Sequence, residues 1–316
     1  MFEALRDKKR SVILSTDIGP DCDDVGAIAV LWSLADEIGF PVIGMVNCTS
    51  NRHGVGAIEG INAFCGHSGI ALGEYTGRGL FEDEDSSRYN KHIAENFGNG
   101  AVAVGHIPFY RRLLSEAEDN SVILVTIGMF TDIADLLESG ADEYSELCGV
   151  ELVKQKVHCA VSMATRYPSG REFNIHRAPE AAKRFFKLFP KDIYIDDFFI
   201  GKSVRTGFVP GSGSSDDPIY ESYRRYTMPW GESCMNASFD LLAVHFAAVG
   251  VGEYYKLGAR GRIEFYNEDS DRFDADDATR FIEDEGGNLI IIEKSTEDRV
   301  IEDELNRRLR SFSVLK

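Results

Sequence analysis

The chain has 316 residues, 43% of them hydrophobic, which is enough for one large α/β domain or for two smaller ones. It carries 52 acidic against 34 basic residues, a formal net charge of −18. Because no basic surplus is left to release counterions from a polyanion, this balance argues against nucleic acids and anionic membranes as partners.

The cysteines and the N-terminal segment bear on the compartment. The six cysteines are scattered with no CxxC pair, which indicates free thiols in a reducing environment rather than a zinc or disulfide framework. No apolar run is long enough to span a membrane, and the segment before residue 12 lacks the apolar region of a signal peptide. We therefore expect a cytoplasmic protein.

The first predicted element is a short buried strand over residues 12–16, followed by a loop that glycine and proline interrupt. A helix is predicted over residues 25–38. Four acids, Asp17, Asp21, Asp23 and Asp24, stand between the strand and the helix.

These four carboxylates would repel one another in a partly buried pocket, so they must be solvated, protonated or gathered around a cation. One or two of them could instead cap the following helix, whose first turn favours negative charge. Helix capping does not account for all four. Ligands that are all oxygen favour a hard ion, calcium or magnesium, over zinc. The stretch therefore indicates a divalent-cation site.

Strands and helices alternate through the next part of the chain. A strand over 41–48 has Asn51 in the loop beyond it, and a helix over 54–65 and a short strand over 70–72 follow. Residues 73–105, which include His92, are rich in glycine and acids and are predicted as a long irregular excursion. A helix over 108–118 then leads to a buried strand over 121–128 and to a helix in GMFTDIADLL.

The remaining elements continue this alternation. We predict a strand over 156–163, a polar loop, a helix beginning at Pro179 and a strand over 192–201. Helices over 217–226 and 236–249, shorter strands with an acidic loop over 254–293, and a charged helix over 296–311 complete the chain.

This order predicts one α/β domain over residues 1–316, built on a doubly wound, mainly parallel sheet. In such sheets ligands bind beyond the carboxyl ends of the strands. The acidic loop, Asn51, the turn at Ile127 and the REFN loop all follow predicted strands. We therefore expect them to share one pocket.

The motifs resemble one family, the inosine-uridine-preferring nucleoside hydrolases, which are calcium-dependent N-ribohydrolases with a Rossmann-like fold. STDIGPDCDDVGA resembles the family's DTDxG and DDA, and TIGMFTDIADLL resembles its TGPLTNIA. EFNIHRAPEAA is similar to EFNxxxDPEAA, and SFDLLAV is similar to HDxLAV. Residues 197–207 resemble GFExGxxxxTG, with Phe199 in place of the acid. The matches come in family order over about residues 11–250 and are weaker over 251–316.

The resemblance implies a calcium site and a ribose site. It implies Asp17, Asp24 and Asp240 as carboxylate ligands and Ile127 as a ligand through its main-chain carbonyl, with sugar hydroxyls and water completing the shell. Asp17 would also take the proton of the attacking water. The residues implied to contact the substrate are Asp23, Asn51, Met163, Glu172, Asn174 and Phe239.

Three differences from the family pattern affect the expected chemistry. Ser15 replaces the first acid of DTD, and two extra residues place Asp21 inside the loop, where we expect a surplus acid or one outside the ligand set. The loop before EFN is also short, which leaves Ser169 as the suggested contact to the 5′-hydroxyl.

Phe239 is a further difference, because several family members carry there the histidine that protonates a purine leaving group. Phenylalanine has no proton to give, although its ring could stack on a base. The candidates for a replacement acid are Tyr223, Tyr226, His92, Tyr167 and Arg177.

The leading hypothesis is calcium-dependent hydrolysis of a ribonucleoside or related N-riboside, by a homodimer or homotetramer as the family suggests. Phe239 leaves open a catalytically impaired homologue that binds a ribosyl ligand. A phosphatase of the haloacid dehalogenase type is a third hypothesis, because residues 21–25 fit DxDxV. That motif should directly follow a strand, whereas Ile18-Gly19-Pro20 interrupts the strand before it.

Overall fold

The computed structural model describes residues 10–82, 89–230, 234–267 and 276–314. The strands are β1 (Ser11–Thr16), β2 (Val42–Asn47), β3 (Ala71–Glu74), β4 (Val104–Gly105), β5 (Val122–Thr126), β6 (Val157–Met163), β7 (Ser169–Gly170), β8 (Ile193–Asp196), β9 (Arg205–Gly207), β10 (Met235–Ala237), β11 (Tyr255–Tyr266), β12 (Ala278–Glu283) and β13 (Leu289–Lys294). The helices are α1 (Asp23–Ile38), α2 (Gly54–Phe64), α3 (Asn90–Asn96), α4 (His106–Glu116), α5 (Thr131–Glu138), α6 (Gly149–Lys156), α7 (Phe173–Arg177), α8 (Pro179–Leu188), α9 (Phe198–Lys202), α10 (Pro218–Thr227), α11 (Phe239–Val249) and α12 (Asp298–Leu309).

In the described ranges these strands form an 11-stranded sheet in the order β4-β3-β2-β1-β5-β6-β8-β13-β11-β12-β7, and β9 pairs with β10. Neighbours from β4 through β13 are parallel, whereas β11, β12 and β7 extend the sheet in antiparallel fashion. The order in which the chain adds strands reverses between β1 and β5, the kind of position where such sheets bind ligands. The predicted doubly wound, mainly parallel α/β fold is confirmed.

Helices cover both faces of this sheet, so the central strands are buried on both sides and read as continuous apolar runs. Val12 and Leu14 of β1 pack with α1, α2, α10, α11 and α12 on one face. Ile13 points the other way, as successive strand residues do, and packs with α4, α5, α6 and α8. Across the described ranges, no helix has the length and apolar character needed to cross a membrane. All six cysteines are free.

Two predicted elements were wrong in part. The predicted strand over 192–201 ends at Asp196, because the carboxylate of Asp197 accepts a hydrogen bond from the Phe199 N–H (2.9 Å) and caps α9. The predicted irregular excursion over 73–105 contains α3 and β4. Gly56 and Gly60 of α2 lie against the α3 region, where an added Cβ would meet Ala94 and Phe97. Residues 83–88, most of the EDEDSS segment, lie outside the described residues.

The C-terminal third also differs in detail from the prediction. β11 is 12 residues long, where shorter strands were expected, and the acidic loop over 268–275 lies outside the described residues. The helix predicted from residue 236 begins at Phe239, since Met235–Ala237 pairs with β9 instead.

Candidate active site

The carboxyl ends of the central strands meet the start of two helices. Asp17 directly follows β1, while Asp23 and Asp24 are the first residues of α1. α1 packs along α11, and the main-chain N–H of Asp240 in the first turn of α11 donates to the Asp23 carboxylate at 3.1 Å. Helix packing thus brings together acids that are more than 200 positions apart in the sequence.

The loop between β1 and α1 is fixed from a distant segment. The hydroxyl of Tyr89 donates to the main-chain carbonyl of Asp21 at 2.6 Å, and the side chain of Asn90 donates to the carbonyl of Ile18. Within the loop, Thr16 donates from its hydroxyl to the Asp24 carboxylate. These contacts hold the acidic loop in place.

The turn after β5 lies directly against this loop. A Cβ atom at Gly128 would lie 2.6 Å from the main-chain nitrogen of Asp17, so glycine permits the close approach. Ile127, just before it, lines the same pocket as the acids.

The acids form a tight cluster. Asp21, Asp23, Asp24 and Asp240 each offer a carboxylate oxygen, and these four atoms all lie within 4.8 Å of one another. Asp17 is outside that group of four, but it lies next to Asp24 and interacts with it. Asp21, expected as a surplus acid, belongs to the cluster.

Burial dominates the electrostatics of these acids. Desolvation raises the pKa of Asp17, Asp23, Asp24 and Asp240 well above the usual value, and repulsion between the acids adds to it. Among the described residues that line the pocket there is no Lys, Arg or His. No cationic side chain among the described lining residues therefore offsets the negative charge of the ionised cluster.

This donor set fits a hard divalent cation. It consists of carboxylate oxygens from four or five acids, with Ile127 at the wall of the same pocket. Calcium and magnesium prefer such all-oxygen sites, and a bound dication would relieve the repulsion.

The pocket beside the cluster has a volume of about 260 Å³ and room for a sugar. Its lining residues are Asp17, Pro20, Asp21, Asp23, Asp24, Ile127, Met163, Glu172, Phe173, Asn174, Phe198, Tyr226, Phe239 and Asp240. It brings together most of the residues singled out from the sequence, from six separate stretches of the chain.

Glu172 and Asn174 are held by the start of α7. The Glu172 carboxylate accepts hydrogen bonds from the main-chain N–H groups of Asn174 (2.9 Å) and Ile175 (3.1 Å), so it also caps this helix. Burial raises the pKa of Glu172 to about 7, although these hydrogen bonds oppose the shift. The Asn174 amide lies 3.4 Å from the Met163 carbonyl, which ties the segment to the end of β6.

Several residues singled out from the sequence do not line the pocket. The Asn51 side chain accepts from the main-chain N–H of His53 at 2.9 Å, in the turn that opens α2. His92 contacts Asn96 on α3, and the buried Tyr223 hydroxyl lies 3.5 Å from Thr206 Oγ1. Tyr223, Tyr226 and His92 were candidates for the acid that protonates the leaving base. Of these three, Tyr226 alone is among the lining residues.

The remaining candidates are not lining residues either. Tyr167 packs edge-on against Phe281, and the Arg177 guanidinium lies over the ring of Phe81. Ser169 is exposed and pairs with Arg280 as part of β7.

The sequence interpretation missed two aromatic walls, Phe173 and Phe198. Phe173 is the middle residue of EFN, and its position between two expected sugar contacts was the available signal. Phe198 was assigned to a strand, and its stacking on Phe239 (ring centres 5.1 Å apart) depends on the unpredicted α9.

Asp21 does not directly follow a strand, as a haloacid dehalogenase nucleophile should, because β1 ends at Thr16.

Comparison with known proteins bears on the fold. No family model and no curated protein matches the chain. Among solved structures it is similar to the plant nucleoside hydrolase PpNRh1, with 17% identity, a TM-score of 0.70, and coverage of 95% of this chain and 99% of that one. An inosine-uridine preferring nucleoside hydrolase from Bacillus anthracis gives 16% identity and a TM-score of 0.66, with coverage of 95% and 99%.

The type III effector protein XopQ, solved in complex with adenosine diphosphate ribose, gives 14% identity and a TM-score of 0.68, with coverage of 98% and 97%. At such identities the similarity concerns the fold. The resemblance noted in the sequence is therefore confirmed at that level, and the chain has the nucleoside hydrolase fold.

Proposed function

We propose that this chain, which has the fold of the nucleoside hydrolases, cleaves the N-glycosidic bond of a ribonucleoside or related N-riboside in a calcium-dependent reaction. The observation that carries the proposal is the buried acid cluster, which opens into a pocket large enough for a sugar. The small-molecule ligand of the proposal is a nucleoside or another N-riboside.

Asp17, Asp24 and Asp240, with the main-chain carbonyl of Ile127, are the proposed calcium ligands, and Asp21 adds a further carboxylate. The proximity of Asp21 to Asp23, Asp24 and Asp240 supports this addition. When bound, the cation would polarise water and the vicinal hydroxyls of the sugar.

The protein's own residues have separate roles around the sugar. Asp23, Glu172 and Asn174 are proposed to bind ribose hydroxyls, with Met163 against the ring. Cleavage passes through a positively charged, oxocarbenium-like sugar, which the surrounding carboxylates stabilise. The oxygen of water bonds to C1′ as the C1′–N bond breaks, and Asp17 accepts the proton that the water loses.

The group that protonates the departing base must differ from the histidine of the family pattern. Phe239 lines the pocket and stacks on Phe198, which gives a face on which a base can stack but no proton donor. Tyr226 has a hydroxyl and lines the same pocket, so it is the proposed source of the proton for the base nitrogen. Asn51, Tyr223 and His92 lie outside this wall and have no role in the proposal.

A second candidate function is ribosyl binding without turnover, and Phe239 is the observation that favours it. The neighbour XopQ, solved with adenosine diphosphate ribose, is consistent with ligand binding on this fold.

Release of ribose distinguishes the two candidates. Purified protein is incubated with inosine, uridine, cytidine, adenosine and nicotinamide riboside, with calcium or with a chelator. We expect free ribose from at least one substrate, dependent on calcium and lost in Asp17→Asn but retained in Asp216→Asn, a control on an exposed loop. Binding without release would favour the second candidate, and neither binding nor release would reject both.

A further inference from the structure

We infer that the ribosyl substrate carries a phosphate on its 5′-oxygen and that Arg166 binds this phosphate. The inference rests on the proposed function, which it narrows from neutral nucleosides to N-riboside 5′-phosphates. Hydrolysis leaves the phosphate ester intact: water adds to C1′, the C1′–N bond breaks, and the products are ribose 5-phosphate and the base.

Arg166 lies three residues beyond the end of β6, and its side chain is fixed over an aromatic surface. Its guanidinium carbon is 4.3 Å from the ring centre of Phe198 and 5.4 Å from that of Phe199. Phe198 lines the pocket, so the guanidinium packs against a residue of the pocket wall, although Arg166 is not itself a lining residue.

Arg166 forms no ion pair within 4 Å in the described part of the chain, and its buried Nε has no hydrogen-bond acceptor there, although its charge acts to lower the pKa of the nearby Asp197. The nearby Asp197 uses its two oxygens for main-chain N–H groups, those of Tyr167 and Phe199. By contrast, Arg171, Arg184 and Arg260 all form ion pairs with carboxylates. A buried guanidinium N–H without an acceptor is costly unless a ligand supplies one.

Two further cations lie on aromatic rings at the pocket. The Lys202 ammonium is 5.6 Å from the ring centre of Phe198. On another wall, the Arg177 guanidinium lies 5.9 Å from the ring centre of Phe173, which lines the pocket and is 46% exposed. Within the described ranges, neither cation forms an ion pair. The cluster of acids is proposed to bind a cation, whereas these cations against the pocket's aromatic walls favour an anion.

The position of Arg166 in the chain favours the sugar over the base as the carrier of that anion. Arg166 belongs to the short connection between Met163 and Glu172, both of which line the proposed ribose site. Ser169, the suggested contact to a 5′-hydroxyl, lies in β7, where it pairs with β12. A planar guanidinium with several N–H donors suits a phosphate better than a single hydroxyl.

Matched substrate pairs test the inference. We would measure dissociation constants by calorimetry and kcat/KM for base release, using inosine against inosine 5′-monophosphate and uridine against uridine 5′-monophosphate. We expect the wild-type protein to prefer each nucleotide by at least 10-fold. Arg166→Gln should reduce this ratio to about one, whereas Arg112→Gln, on α4 outside the pocket, should keep the wild-type ratio.

Arg166→Lys serves as a second variant in case Arg166→Gln does not fold, and it should show an intermediate preference because it retains the charge but not the planar donors. Equal or weaker use of nucleotides by the wild-type protein, with ribose still released from nucleosides, would overturn this inference and leave the proposed function intact. A preference that both Arg166 variants retain would also overturn it. A comparison of nicotinic acid riboside with nicotinamide riboside tests whether the anion is instead carried by the base. A preference for the anionic substrate in this pair alone would contradict binding of a 5′-phosphate by Arg166. If no riboside of either kind binds, the proposed function itself fails.

Discussion

At the level of single residues, the pocket is defined by carboxyl groups that burial and mutual repulsion make difficult to ionise. Asp17, Asp23, Asp24 and Asp240 all have raised pKa values for this reason. A cation that binds there must displace protons, so its affinity should increase with pH. The acids of the opening loop could be recognised from sequence because they are adjacent, whereas Asp240 required the resemblance, since only the packing of α11 on α1 brings it near.

Removing one charge from this cluster should weaken calcium binding. We expect Asp24→Asn and Asp240→Asn each to raise the calcium dissociation constant at least 100-fold, roughly 2.8 kcal/mol, because each removes an anionic ligand without changing the side-chain volume. Isothermal titration calorimetry measures this, with Asp216→Asn as a control that should stay within about twofold. Unchanged affinity in either cluster variant would remove that residue from the ligand set.

Asp132 is a buried acid outside the cluster and gives a separate prediction. One of its oxygens accepts hydrogen bonds from the hydroxyls of Ser15 (2.8 Å) and Tyr110 (2.7 Å), while the other has no partner among the described residues. Burial raises the pKa of Asp132 above 3.8, against these hydrogen bonds. The folded state therefore retains a proton that the unfolded state releases, and stability is lost as the pH rises from about 3.8 to above the raised pKa.

Asp132→Asn should remove this pH-dependent loss. Asparagine keeps an oxygen that can accept from both hydroxyls, but it does not ionise. The family motif TGPLTNIA, which this segment resembles, has asparagine at the position of Asp132. We expect the variant to be more stable than the wild type by roughly 1 kcal/mol at pH 8, with the difference vanishing toward pH 4. Urea unfolding at both pH values measures it, and a variant less stable at pH 8 would be incompatible with a charge-burial cost at this site.

At the level of elements, the antiparallel extension of the sheet supports the segment that carries Glu172 and Asn174. β12 pairs with β7, just before that segment. The Asp277 carboxylate accepts hydrogen bonds from Arg171 (3.0 Å) and from His176 Nδ1 (2.7 Å), on either side of EFN. Burial raises the pKa of Asp277, but these two partners outweigh it and lower the pKa below its usual value.

Asp277 is thus expected to position the proposed ribose-binding segment without touching the substrate. Asp277→Asn should raise KM about 5- to 10-fold with a smaller effect on kcat, because Glu172 and Asn174 would be less well ordered for binding. The adjacent, exposed Asp276 provides the control, and Asp276→Asn should leave both constants unchanged. Steady-state kinetics with the riboside that the wild-type protein cleaves most efficiently measures both constants. A decrease in kcat with an unchanged KM would contradict a positioning role.

Elements were predicted well where a local pattern determines them and poorly where tertiary contacts decide. β1, β5 and β6 are continuous apolar runs, and their interiors were assigned correctly. α9 was missed because its sequence, FFIGK, reads as a continuation of β8, and only the capping by Asp197 ends the strand. The Asp277 contact joins residues about 100 positions apart and leaves no trace in a local pattern.

At the level of the whole molecule, the switch in strand order between β1 and β5 determines where the chemistry can occur. Loops after β1, β5 and β6 converge there, and α11 adds Asp240 from the C-terminal part of the chain. The parallel alternation made this convergence predictable from sequence. Phe239 was also expected there, but Phe198 and Arg166 were not, because only the tertiary packing of α9 brings these two side chains together.

The proposed function requires a divalent cation in the acid cluster next to a ribose, and a crystal structure of the protein soaked with calcium and ribose would show whether both bind there. We expect one calcium ion, identified by its anomalous signal, bound by the carboxylates of Asp17, Asp24 and Asp240 and the carbonyl of Ile127, with the vicinal sugar hydroxyls facing it. Calcium bound elsewhere, or ribose bound at a distance from a cluster without a cation, would contradict the proposed function.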